Sequence, residues 1–165
     1  MKKIIICGIL SSVAIVVSSL ERFVPLSAII PLPGIKLGLA NCIILLSLVK
    51  LDLKCSFAIM ICKNLVVSLL FSNPVSFIYS LFGGVFSLIG MHLLLKCKTL
   101  FSLFGVSVAG ASLFNIGQII AAILILKSIY IYKYLVFLLP VSILTGILIG
   151  LITSVVIKNL KLGWN

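Results

Sequence analysis

Six polar side chains lie within or beside long apolar stretches of this chain. They comprise one carboxylate, two ammonium groups and three carboxamides: Glu21, Lys36, Lys63, Asn41, Asn115 and Gln118. Polar groups inside apolar spans cost free energy and therefore mark candidate functional sites. Two cations with three amides suit a small ligand that carries negative charge and hydrogen-bonding groups. The pattern predicts a substrate-binding site made of these six residues.

Each of these residues also has a structural interpretation. Lys63 is either a partner of Glu21 or of main-chain carbonyls, or the counter-charge of an anionic ligand. Asn115 and Gln118 lie about one turn apart and can bond a ligand or neighbouring helices, as can Asn41. Interhelical hydrogen bonds in membranes average only about 0.6 kcal/mol, which favours ligand contact. Glu21, next to Arg22, is also typical of a solvated interfacial pair.

The same residues argue against catalysis, metal binding and ATP hydrolysis. The one histidine, His92, lies at the predicted opposite end from the polar residues, so no nucleophile–base pair is evident. The five cysteines contain no CxxC pair and lie mostly in apolar runs, where cysteine packs as a small hydrophobe. No Walker lysine motif is present. We predict no catalytic residue, no metal ligand, no cofactor and no enzymatic activity.

Composition identifies lipid as the solvent of this chain. Of its 165 residues, 63% are hydrophobic and 9% charged, and the mean hydropathy is +1.46. A soluble domain of this size is about half apolar and a quarter charged. No soluble fold could bury so much apolar surface. The sequence therefore predicts an all-α integral membrane protein.

Six apolar segments approach the length of about 20 residues that a membrane-spanning helix needs. They cover approximately residues 4–20, 37–49, 55–71, 75–95, 104–126 and 135–157 of one membrane domain (1–165), with an external loop at 21–36. The second segment is short, and either the preceding loop extends it or it does not cross alone. The first resembles a signal peptide after Lys2 and Lys3. Its apolar run is long and no A-x-A-like site precedes Glu21, so we interpret it as the first helix.

The basic residues predict the orientation of the bundle. The formal net charge is +11, and the cations lie mostly in short connections between apolar segments. This pattern is typical of cytoplasmic loops rather than of nucleic-acid binding. With the N-terminus inside, eight cations lie on the cytoplasmic side and four on the outer side. We therefore predict a multi-pass protein of the bacterial cytoplasmic membrane with both termini in the cytoplasm.

Small residues follow one face of the first helix at helical spacing. They are Cys7, Ser11, Ala14 and Ser18, with Gly8 and Ser12 beside them. Small residues let helix backbones approach closely in lipid. Packing within the bundle suffices to explain similar faces on the fourth and sixth helices. On the first helix the face indicates either internal packing or contact with another membrane protein, and we predict Gly8, Ser11, Ala14 and Ser18 as partner-binding residues.

Three sequence strings are similar to a known family. They are PLPGIKLGLAN at 31–41, GVSVAGA at 105–111 and NIGQ at 115–118. These strings resemble the Gx transporter family, also labelled heptaprenyl diphosphate synthase component I, and the resemblance covers nearly the whole chain. Phe114 stands where the resemblance implies a histidine in many relatives.

That family resembles the substrate-binding S-components of energy-coupling factor (ECF) transporters. The resemblance implies six membrane helices and an outward-facing pocket under the loop between the first two. It also implies that the small-residue face of the first helix docks on a separate coupling subunit driven by two ATPases. The expected function is the uptake of a small anionic compound, such as a vitamin, a flavin-like compound, or a prenyl or quinone precursor.

The family's second label implies a different activity. Chain-elongating prenyl diphosphate synthases resemble one another in paired Asp-rich motifs that hold Mg²⁺ on the diphosphate, and Mg²⁺ favours carboxylate ligands. This chain has two acids, Glu21 and Asp52, which fall on opposite sides of the predicted membrane. We therefore expect no synthase activity from the chain alone. The alternative function is a non-transporting membrane accessory subunit associated with polyprenyl diphosphate synthesis.

Overall fold

The computed structural model describes residues 2–23, 36–71, 74–97 and 101–159. Within them, two 3-10 helices at Glu21–Phe23 and Ile129–Tyr134 accompany six α-helices: α1 (Lys2–Leu20), α2 (Asn41–Lys50), α3 (Leu53–Phe71), α4 (Pro74–Lys96), α5 (Leu103–Leu126) and α6 (Leu135–Asn159). The predicted bundle of six helices is confirmed. Most of the predicted external loop, residues 24–35, lies outside the described residues.

The surface of the bundle is apolar. Five of the six helices are long and apolar enough to cross a membrane. Large hydrophobic side chains point outward from several of them, including Ile4 (76% exposed), Leu69 (78%) and Val136 (71%). Apolar surface of this extent is stable against lipid and not against water. The chain is a multi-pass membrane protein.

α2 is the exception among the helices. It begins at Asn41, four residues later than predicted, and contains ten residues. Ten helical residues span about 15 Å, which is about half of a hydrocarbon core of about 30 Å. Residues 36–40, which precede it, are not helical. The short second segment therefore does not cross a bilayer as a helix.

The five long helices pack in the row α1–α3–α4–α5–α6, and α2 contacts every one of them. Its buried residues lie along most of its length: Asn41, Cys42, Ile44, Leu45, Leu46 and Ser47. Because α2 is half-length and enclosed, its N-terminus begins inside the bundle. The chain therefore places non-helical backbone inside the helix bundle.

α5 and α6 pack closely through small residues. A Cβ on Gly146 of α6 would lie 2.5 Å from the Cα of Val108 in α5, so only glycine permits this approach. Ser107 Oγ donates a hydrogen bond to the Gly146 carbonyl at 2.7 Å across the same contact. The interpretation of the small residues in α6 as internal packing is confirmed.

One ion pair links the N-terminal end of α1 to the connection between α2 and α3. Lys3 Nζ lies 3.6 Å from Asp52 Oδ2, and both side chains are exposed. The two segments thus lie at the same end of the bundle, as the predicted orientation requires. Which end faces the cytoplasm stays a prediction.

Candidate ligand-binding site

Residues 36–40 form the non-helical entrance to α2. Lys36 is 7% exposed and Ala40 is fully buried. Gly38 has a φ of +83°, a left-handed conformation that favours glycine. Non-helical backbone at membrane depth is tolerated only where protein buries it or where it lines a cavity. The polar main-chain groups of this segment therefore need partners from neighbouring helices.

The side chain of Gln118, in α5, supplies two of these partners. The main-chain N–H of Lys36 donates to Gln118 Oε1 at 2.9 Å, and Gln118 Nε2 donates to the Lys36 carbonyl at 2.8 Å. Gln118 Nε2 also donates to Asn115 Oδ1 at 3.1 Å, and Asn115 Nδ2 donates to the Leu138 carbonyl of α6 at 3.2 Å. Gln118 thus links the entrance segment to α5, and Asn115 links α6 to α5.

The carboxylate of Glu21 reaches the same segment from the end of α1. The main-chain N–H of Gly38 donates to Glu21 Oε1. Glu21 also interacts electrostatically with Lys63 of α3 and with Lys36. Glu21 is 5% exposed and Lys63 is 2% exposed, so these charges compensate one another away from water. The interpretation of Glu21 as a solvated interfacial residue is wrong, and the pairing of Lys63 with Glu21 is supported.

Asn41, the first residue of α2, differs from the other amides. Its side chain is 1% exposed. Neither Nδ2 nor Oδ1 has a hydrogen-bond partner among the described residues. The ring of Phe114 lies close by, because a Cβ on Gly38 would stand 3.0 Å from Asn41 Nδ2 and 2.9 Å from Phe114 Cδ1. Asn41 therefore presents a free amide beside an aromatic ring.

The six predicted ligand residues all belong to this buried polar group. They come from the end of α1, the entrance segment, α2, α3 and α5: Glu21, Lys36, Asn41, Lys63, Asn115 and Gln118. The chain itself bonds Asn115 and Gln118, whereas Asn41 keeps both of its polar atoms available. Their role as ligand contacts stays a prediction, and Asn41 has the strongest structural support.

The small-residue face of α1 divides between the interior and the surface. Ala14 is fully buried and Ser18 is 1% exposed, so both pack within the chain. Ser11 is half-buried and Gly8 is exposed. Contact with a partner protein stays a prediction for Gly8 and Ser11. For Ala14 and Ser18, the structure favours the alternative interpretation of internal packing.

Asn64 is a buried polar residue that the sequence interpretation overlooked. It is 2% exposed, and its Nδ2 donates to the Ser80 carbonyl of α4 at 3.1 Å. Its Oδ1 has no partner in the part of the chain that the structure describes. The rule that singles out Lys63, a polar side chain in an apolar segment, also applies to this neighbouring residue.

The second acid, Asp52, lies at the start of α3, at the other end of α1 from Glu21. Its Oδ1 accepts a hydrogen bond from the Cys55 main-chain N–H at 2.8 Å. This bond, with a smaller contribution from Lys3, lowers the pKa of Asp52 below its usual value. Within the described ranges, no cluster of three or more His, Cys, Asp and Glu residues could hold a metal ion.

A family model described as heptaprenyl diphosphate synthase component I matches residues 10–156. The chain belongs to this family. No curated protein and no solved structure gives a match. The matched range of the heptaprenyl diphosphate synthase component I family runs from α1 into α6 and includes every residue of the buried polar group. The predicted membership of this family is therefore confirmed, and the predicted resemblance to ECF S-components stays a prediction.

Proposed function

We propose that this family member is the substrate-binding membrane subunit of an ECF-type transporter that takes up a small anionic compound. The observation that carries the proposal is the buried polar group around the start of α2, in which Asn41 has no partner among the described residues. A charged side chain at membrane depth costs about 2.5–3.5 kcal/mol on insertion scales. Stability alone is a weak reason for such a group, because interhelical hydrogen bonds average about 0.6 kcal/mol.

The charge of the group supports a ligand with one negative charge. Lys36 and Lys63 supply two positive charges, and Glu21 supplies one negative charge in contact with the entrance segment. The formal charge of these three side chains is +1 when all of them are ionised. A monoanionic ligand would neutralise it, and neutralisation favours burial at low dielectric.

Partner proteins would provide the energy for uptake. The chain contains no Walker motif, so we propose a separate coupling membrane subunit and ATPases. α1 lies at one end of the helix row and exposes most of its surface. A Cβ on Gly8 would meet no described atom within 4 Å, which leaves room for a second helix to approach closely. We place the coupling subunit on this side of α1.

The proposed location is the bacterial cytoplasmic membrane with both termini inside. This orientation follows from the excess of basic residues in the connections that share the side of the N-terminus. It directs the connection between α1 and α2 outward, where a compound would be captured.

An accessory role in polyprenyl diphosphate synthesis is the second candidate, and the family description favours it. In that role the chain would assemble with a catalytic synthase chain. Glu21 and Asp52 are its only acids. Each accepts a main-chain hydrogen bond, Glu21 near one end of α1 and Asp52 near the other. The paired carboxylates that hold Mg²⁺ on a diphosphate would therefore belong to the partner chain.

Mass spectrometry of small molecules that copurify with the detergent-solubilised protein tests the transport role. We expect the wild type to retain a compound that the variant Glu21→Gln/Lys63→Met loses, because that variant removes two charges of the polar group. The control is Lys133→Met, which removes an exposed cation far along the chain in the 3-10 helix Ile129–Tyr134. A wild type that retains nothing but captures a soluble prenyl diphosphate synthase supports the accessory role instead.

A further inference from the structure

The free amide of Asn41 indicates what chemical group the ligand carries. Both of its polar atoms are buried, and neither is bonded by any described residue. A buried polar atom without a partner is costly in free energy, and the cost disappears when a partner arrives. The conclusion holds whichever way the amide is oriented, because both its oxygen and its nitrogen are unbonded.

A carboxamide with both atoms free offers one donor and one acceptor on the same edge. The matching edge is an N–H next to a C=O, as in a secondary lactam, an imide or a cyclic urea. Gln118 uses its amide in a related way within the chain, since it accepts from the Lys36 N–H and donates to the Lys36 C=O, two groups that flank one Cα. A diphosphate offers acceptors only, and would leave Oδ1 of Asn41 without a donor.

Two neighbours of Asn41 favour the same kind of ligand. The ring of Phe114 lies beside the amide, so the surroundings of Asn41 are apolar and aromatic on that side. The carboxylate of Glu21 already occupies the Gly38 N–H at the entrance to α2. This carboxylate would repel a ligand with several negative charges, whereas it would not repel a neutral ring edge.

We infer that Asn41 selects a ligand with a lactam, imide or cyclic-urea edge, held by two parallel hydrogen bonds next to Phe114. The inference rests on the proposed substrate-binding role and specifies the part of the substrate that α2 recognises. The single negative charge of the substrate then lies elsewhere on the molecule, towards Lys36 and Lys63.

The test uses the full-length protein in detergent, incubated with the soluble small-molecule extract of its expression host. Bound compounds are identified by mass spectrometry for the wild type, Asn41→Leu and the control Thr153→Val. Thr153 is also buried with an unpartnered hydroxyl among the described residues, but it lies in α6 and outside the polar group. We expect the wild type and Thr153→Val to retain a compound with the named ring edge. Asn41→Leu should retain roughly tenfold less or lower.

Thermal unfolding without extract shows whether Asn41→Leu is folded. Its Tm should equal or exceed that of the wild type, because the substitution removes an unpaired polar group. A lower Tm would show that Asn41 is a structural residue and would overturn the inference. A bound compound without such a ring edge would also overturn the inference, and so would equal retention of the compound by Asn41→Leu and the wild type. Both of these results would leave the substrate-binding role intact. No retained compound in the wild type or the control would contradict that role as well.

Discussion

Gln118 and Lys36 are 82 residues apart in sequence, yet the side-chain amide of Gln118 bonds the main-chain N–H and C=O of Lys36 at 2.9 and 2.8 Å. The amide belongs to a side chain of α5, and the two main-chain groups belong to successive peptide bonds at the start of the entrance segment. The pairing replaces the hydrogen bonds that a longer α2 would have made. It also anchors the start of the segment that leads through Gly38 to Asn41. The geometry of the candidate site therefore depends on this contact.

Replacing Gln118 by leucine should destabilise the protein. Gln118→Leu leaves the N–H and the C=O of Lys36 buried without their partner, at about 1–3 kcal/mol for each group. Thermal unfolding in detergent should show a clearly lower Tm. Ser112→Ala, which removes a part-buried hydroxyl from the same helix, should cause a smaller change. Equal Tm values for Gln118→Leu and the wild type would contradict the role assigned to this amide.

Gly38→Ala should be strongly destabilising for two separate reasons. The left-handed φ of +83° costs a residue with a Cβ about 1–2 kcal/mol. The new Cβ would also lie 2.9 Å from the Phe114 ring. The matched control is Gly8→Ala, where no described atom is within 4 Å and alanine favours the helix. We expect a lower Tm for Gly38→Ala and an unchanged or higher Tm for Gly8→Ala, and the reverse order would refute this account.

Glu21 and Lys63 should behave as a coupled pair. Each single substitution, Glu21→Gln or Lys63→Met, leaves a buried charge with less compensation, and breaking such a pair costs about 3–5 kcal/mol. The double variant removes both charges and should regain most of the lost stability. A double-mutant cycle measured by thermal unfolding tests this coupling. If the stability loss of the double variant equals the sum of the losses of the two single variants, the side chains do not compensate each other.

Asp52 should make stability depend on pH. Its pKa is lowered from 3.8 in the folded protein, chiefly by the hydrogen bond from Cys55. The stabilisation is therefore fully present above about pH 4 and is lost as the pH falls through the lower folded pKa. Asp52→Asn keeps an acceptor but cannot titrate. The Tm difference between the wild type and Asp52→Asn should shrink below pH 4, and a pH-independent difference would contradict the assignment.

Cysteine labelling can test the predicted orientation. Cys97 is exposed at the end of α4, on the predicted cytoplasmic side. In a variant that keeps only this cysteine, a membrane-impermeant maleimide should label it after cells are permeabilised and not before. Tyr130→Cys in a cysteine-free background should react in intact cells, because Tyr130 is 70% exposed and lies on the predicted outer side. The opposite pattern would invert the topology.

The sequence alone determined the class of the protein and the positions of its long helices. Apolar length and charge distribution are properties of consecutive residues, so α1, α3, α4, α5 and α6 begin and end near their predicted bounds. The same local reasoning singled out the six polar residues that share the buried polar group, because a polar side chain in an apolar run is visible without a structure. It missed Asn64, which is also buried, and the role of the six as ligand contacts stays a prediction.

Only the tertiary structure decided which of these polar groups are satisfied and which are free. Gln118 and Asn115 are both amides in one helix, and the entrance segment bonds Gln118 while α6 bonds Asn115. Asn41 looks similar in sequence, but it begins a half-length helix where no described group reaches it. Hydrogen bonding depends on distances between helices that pack from remote parts of the chain, and no local pattern records those distances.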